Sequence, residues 1–120
     1  MRILELGTSR SKVIQWFGSV GVSIGPLART EEAEVVRVSI ATIAPGGQIG
    51  RHATPAWQLF YVTEGSGWVA GETGEMVPMS AGMAASWKPG EEHGAGSHEG
   101  LVACIVEASV NPVAHFLERA

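Results

Sequence analysis

A chain of 120 residues can bury one core of its own, and 45% apolar against 17% charged residues exclude a disordered polymer. A formal charge of −4 with no basic cluster excludes a nucleic-acid partner. One cysteine, Cys104, excludes an internal disulfide, and no apolar run approaches the ~20 residues of a membrane helix, so no membrane partner and a cytoplasmic location are expected.

In chain order, Arg2 to Leu6 reads as an edge strand and Thr8 to Lys12 as a polar turn. Val13 to Phe17 and Val20 to Ile24 are β-rich, separated by Gly18 and Ser19. Trp16 and Phe17 are large for an N-terminal arm; they either pack in the core or cross onto a second subunit. Arg29 to Glu34 is a charged connection. Val35 to Ala44 is the clearest strand, with Val36, Val38 and Ile40 on one face and Arg37, Ser39 and Ala41 on the other, and Pro45-Gly46-Gly47 ends it.

The stretch from Gly46 to Gly65 has a turn-rich first half that carries His52. Its second half, Trp57 to Thr63, is β-branched and aromatic, with Gln58, Phe60 and Val62 on one face. Glu64 to Gly67 reads as a tight turn, Trp68 to Ala70 as a returning strand and Gly71 to Glu75 as a hairpin loop. Met76 to Met79, Met83 to Trp87 and Leu101 to Ala108 are further strands, with a glycine-rich loop expected from His93 to Gly100. Asn111-Pro112 signals a helix start, and Val113, Phe116 and Leu117 share one face of a short helix over 111–119. Short strands with turns at this spacing argue an all-β sandwich or barrel.

Two stretches carry a resemblance. Gly46, His52, Gln58 and Gly65 fall at the spacings of the first cupin motif, with Thr54 where the family has its second histidine and Gln58 where it has glutamate. Gly82, Gly90 and His93 match the second motif, with Lys88 in place of its proline and Ser97 in place of its asparagine. The chain therefore resembles the cupin family over roughly Val35 to Ser109. The resemblance implies a double-stranded β-helix, or jelly-roll-like, barrel over 35–109. Residues 1–34 would form N-terminal strands or an arm, and a short C-terminal helix would complete a single domain. It also implies a homodimer, since proteins of this kind often pair through their outer sheets.

The resemblance implies that His52, Gln58 and His93 meet at one point and hold a divalent transition metal. Neutral imidazole suits zinc, iron, nickel or copper, whereas the Gln58 amide brings no charge to offset the cation. The alternative is a pair of hydrogen-bonded histidines in a metal-free pocket. Thr54 either bonds a metal-bound water or serves the turn before Pro55. Phe60 would line the pocket below the site. Trp87, with Trp57 and Trp68, is either pocket wall or core. His98 is either a mobile third ligand or a solvated loop residue. Arg51 would favour an anion if it points inward, and Glu91 and Glu92 are expected to face solvent. All twelve acidic residues are glutamate, and no serine sits in a nucleophile-turn motif. Two functions follow: a metal-binding protein with a small organic ligand in its barrel, acting as an oxygenase- or isomerase-like enzyme, or a metal-free module that binds or senses a small molecule.

Overall fold

The computed structural model describes residues 1–6, 11–30 and 32–114. Ten strands run in order: β1 (Arg2–Glu5), β2 (Lys12–Ile14), β3 (Val22–Ile24), β4 (Val36–Ile43), β5 (Gln48–Ala53), β6 (Trp57–Ala70), β7 (Met76–Ser80), β8 (Met83–Trp87), β9 (Glu92–Gly96) and β10 (Leu101–Ala108). All pair antiparallel. The fold is an all-β double-stranded β-helix. It is built from two sheets that share β6, rather than from a closed ring of strands.

The first sheet has the order β1-β8-β6-β10-β4. In the second, β9 lies between β5 and the distal half of β6, which also pairs β7. β6 serves both. Gln58–Tyr61 pair β8, while Ser66–Ala70 pair β7. The tight turn expected at Glu64 to Gly67 is therefore a crossing, through which the strand runs on. Glycine makes it possible. Gly65 has φ 79, outside the range of most side chains. At Gly67 a Cβ would collide with the Gly96 carbonyl oxygen and lie 2.7 Å from Leu101 Cδ2. The partner strand adjusts with a bulge between Val102 and Ala103.

Alternation along β6 sorts two cores. Phe60 and Val62 point between the sheets, where they meet Ile43, Val69, Met79, Ala85, Trp87, Ala95, Leu101 and Ala103. Leu59 points outward, to Leu4, Leu6, Ala84, Val106 and Val113, with Leu27, Ala28, Tyr61 and Cys104 at the margin. Cys104 packs there as a half-buried free thiol.

Three further expectations need correction. Of the glycine-rich loop expected from His93 to Gly100, the first part is strand β9 (Glu92–Gly96), and only residues 97–100 are loop. Gly96 is required by close approach, because a Cβ there would enter the Trp68 ring. The turn-rich segment around His52 is likewise strand β5. The Val13 to Phe17 segment breaks after Ile14 into a 3₁₀ turn over Trp16–Gly18, leaving β2 and β3 as a separate two-stranded hairpin. The helix expected over 111–119, with His115, Phe116 and Leu117, falls largely outside the described residues, as does most of the Thr8 to Lys12 turn. Within them, Asn111 Oδ1 accepts the Val113 N–H at 3.0 Å, as an N-cap does.

The crossing can be tested by substitution. Gly67→Ala should destabilise the fold by about 2 kcal/mol or more, since backbone must move. Gly50→Ala, where an added Cβ meets nothing within 4 Å, should change stability by less than about 0.5 kcal/mol. Urea midpoints of the two variants check this; equal effects would mean that the crossing tolerates a side chain.

Candidate functional site

His52 and His93 are 41 residues apart (93 − 52) and meet because β5 and β9 pair them directly across the ladder. Directly opposed residues put their side chains on one face, about 5 Å apart at Cβ. The two rings lie 4.4 Å apart between centroids, tilted by 53°. Backbone bonds around Thr54 hold this register at the end of the strands. The Thr54 N–H donates to the Glu91 carbonyl at 3.0 Å, and the Gly90 N–H donates to the Thr54 carbonyl at 2.7 Å. Gly90, at φ 83, supplies the turn that brings His93 in.

The rings continue inward as a column. Trp87 stands 4.5 Å from His93 at 39°, and Phe60 stands edge-on to Trp87 at 6.3 Å. His52 is exposed, while His93, Trp87 and Phe60 are buried. The His52 Nδ1 lies 2.7 Å from the Gly50 carbonyl, so Nδ1 carries the proton and Nε2 keeps its lone pair. The buried His93 Nδ1 and Trp87 Nε1 have no hydrogen-bond partner. Among the described residues only one other buried side-chain nitrogen or oxygen, Arg2 Nη1, shares that condition. Buried polar atoms are nearly always paired, so two orphans on adjacent rings mark a place where something binds.

Gln58 is buried on β6, between Trp87 of β8 and Glu107 of β10 in direct register. Glu107 was missed by sequence reasoning. It is half-buried, on the Gln58 face, with its carboxylate 3.9 Å from the Arg37 guanidinium of β4. Only the pairing of three distant strands brings it there, and no local spacing signals that.

The remaining candidates lie elsewhere or are committed to the backbone. Thr54 is buried, and its hydroxyl donates to the Ala56 carbonyl at 2.8 Å. His98 lies just past the far end of β9, five residues from His93 and roughly 15 Å away along an extended chain. There it lines a cavity of about 500 Å³ with Trp68, Met79 and Met83. Arg51 donates to the Glu92 carboxylate and, at 2.7 Å, to the Glu72 carbonyl, which ties it to the outer loop. Glu91, expected at the surface, is buried; its carboxylate accepts from the Lys88 N–H and pairs with the Met1 ammonium.

These residues fit a metal in part. Two imidazoles and an amide oxygen are available, one imidazole in a fixed tautomer and the other with an unpaired nitrogen. Among the described residues no group of three or more histidine, cysteine, aspartate or glutamate side chains is placed to hold a metal ion. The amide of Gln58 would therefore have to complete the set.

Comparison with known proteins agrees with the fold. The cupin domain model matches residues 39–107. A cupin described as RmlC-like, from Shewanella frigidimarina, is 23% identical over 62% of this chain and 67% of its own, with a TM-score of 0.58. An uncharacterized protein from Klebsiella pneumoniae with a double-stranded β-helix domain is 26% identical over 69% of this chain and 78% of its own, at 0.57. A predicted oxalate decarboxylase from Thermotoga maritima is 22% identical over 65% and 68%, also at 0.57. No curated protein matches the chain.

Burial pushes the His93 imidazole below its ordinary range, and the neighbouring His52 ring pushes the same way. The backbone carbonyls of Glu91 and His52 and the Glu91 carboxylate oppose the shift without cancelling it. The charged form is thus disfavoured in the folded state. Below about pH 6.5 the unfolded chain takes up a proton that folded His93 refuses, so this group costs stability as pH falls from there toward its lowered pKa. Metal-free protein should lose stability as pH falls below about 6.5, and His93→Gln should flatten that part of the profile. Urea unfolding across the range checks it; an unchanged slope in the variant would assign the effect to other groups.

Proposed function

Because the chain belongs to the cupin family, we propose that it binds a divalent transition metal through His52, Gln58 and His93, with a small organic ligand between its two sheets. The observation that carries this reading is the unpartnered His93 Nδ1, buried 4.4 Å ring-to-ring from a histidine whose own Nδ1 is already committed. A metal bound there supplies a Lewis acid with positions left open for a ligand oxygen.

The chain's own residues then have distinct tasks. Gly50 fixes the His52 tautomer through its carbonyl, leaving Nε2 as the ligand atom. Trp87 closes the inner side and offers its unpaired Nε1–H to an oxygen of the bound molecule. Phe60 and Val62 form a dry floor, which strengthens every polar contact above it. Glu107, opposite Gln58 and half-buried, would accept a proton from the ligand. Lewis-acid chemistry of the oxygenase, isomerase or decarboxylase kind fits such a site. The Thermotoga neighbour, described as a predicted oxalate decarboxylase, is consistent with the last.

One observation favours a second reading, a metal-free module that binds or senses a small molecule. The Thr54 hydroxyl is taken by the Ala56 carbonyl, and no third imidazole or carboxylate stands with the pair among the described residues. Metal content of purified protein separates the two. On the first reading, Zn²⁺ titration calorimetry should give stoichiometric binding that Gln58→Glu strengthens tenfold or more, about 1.4 kcal/mol, because a carboxylate restores the missing charge. His93→Ala should weaken it by roughly a hundredfold or more, since even an outer partner of a ligand is worth 10–100-fold. Full occupancy in His93→Ala would overturn the site.

A further inference from the structure

The cavity of about 500 Å³ that His98 lines is remote from the histidine pair. It is bounded by β6 from Ser66 onward, by the β7–β8 hairpin and by the loop after β9. Met83, in its wall, begins β8, and Trp87, beside His93, ends that strand about 13 Å further on. Ala85 and its register partner Phe60 fill the interval as buried core. The two places therefore share a fold but no space.

The walls are held in place. The Trp68 indole is seated on β9, where a Cβ at Gly96 would stand 2.5 Å from its Cζ2 and 2.6 Å from its Cε2. The ring remains half-buried and lines the cavity. Met79 and Met83 add two thioethers, and the Ser80 hydroxyl donates to the Met83 sulfur at 3.5 Å. His98 and Glu99 are exposed, yet Ser97 fixes the loop that carries them. Its hydroxyl donates to the Ser66 carbonyl at 2.5 Å and accepts the Gly100 N–H at 2.7 Å. Its own N–H donates to the Gly47 carbonyl at 3.1 Å, and its carbonyl accepts the Gly46 N–H at 2.9 Å. No lysine or arginine lines the cavity, and Glu99 has no ion pair among the described residues.

We propose that this cavity is a second ligand site and takes a small aromatic amine, its ring against Trp68, Met79 and Met83 and its ammonium at Glu99. Indole and thioether surfaces both favour a flat ring over an irregular aliphatic body. A carboxylate with no counter-charge attracts a cation and repels an anion, so the charge of the ligand is set as well as its shape. The volume lies within the range of sites that enclose a small organic molecule. The site stands without the histidine pair and needs no metal.

Titration calorimetry of the full chain with phenethylamine and with 3-phenylpropionate separates ring from charge, because the two share a ring and carry opposite charges. Phenethylamine should bind one-to-one and about tenfold or more tighter than 3-phenylpropionate. Glu99→Gln should remove most of that preference while keeping the wild-type urea midpoint, since the side chain is exposed. Trp68→Leu should weaken phenethylamine by about tenfold. In protein labelled at its methionine methyls, the Met79 and Met83 signals should move with the amine. His93→Ala should bind phenethylamine as the wild type does. Absence of saturable amine binding overturns the proposal, as does equal affinity for amine and acid. Binding that is lost in His93→Ala and kept in Glu99→Gln overturns it too, and would assign the amine to the histidine pair.

Discussion

Everything in this molecule depends on one strand doing duty in two sheets. β6 enters as the middle strand of the first sheet and leaves as a member of the second. The two sheets face each other only because the backbone can cross at Gly65 to Gly67 without side chains in the way. That crossing sets which residues look inward. Gln58, Phe60 and Val62 follow from the pleat, and Trp87 and Glu107 follow from register with Gln58. The second sheet then brings β5 and β9 over the same space, and with them the histidines. Packing and site are thus one problem solved by one strand.

The site sits where that solution is least complete. Phe60 and Trp87 are ordinary core residues, closely packed and dry. One ring further out, the same column ends in unpaired ring nitrogens on Trp87 and His93. A buried donor or acceptor without a partner costs about 1–3 kcal/mol, so the fold carries a local deficit that a bound molecule would remove. Stabilisation by whatever binds there is the other face of that deficit.

Much of this was legible in the sequence. The strands Met83–Trp87 and Leu101–Ala108 end where the alternation of side chains ends, and the inward face of β6 follows from period two alone. The spacing of His52, Gln58 and His93 pointed to one place; the register of β5 with β9 sets His52 opposite His93, and that of β6 with β8 sets Gln58 opposite Trp87, whose ring lies against His93. What stayed hidden has a common cause. Gly65 to Gly67, His93 to Gly96 and Gly46 to His52 look like turns because glycine is abundant, but at Gly67 and Gly96 glycine answers to a neighbour's backbone or ring and not to chain reversal. Glu107 stayed hidden because its place is set by partners some 50 and 70 residues away, Gln58 and Arg37, and no window along the chain contains them.

The order of strands across the first sheet has a consequence for synthesis. β10 is the last of the described strands, yet it lies between β4 and β6 near the centre of the sheet. β1 precedes the other described strands and pairs with β8, whose residues lie some 80 positions later (Arg2 with Ser86). A chain emerging from the ribosome therefore holds β4 and β6 with a gap between them until Leu101–Ala108 appears. β1, β8 and β6 can pair before then, but β4 cannot join them, and the facing edges of β4 and β6 stay open to wrong partners meanwhile. Long-range pairing of this kind also makes folding slow. Leu101–Ala108 then acts as the wedge that joins β4 to the part of the sheet already paired.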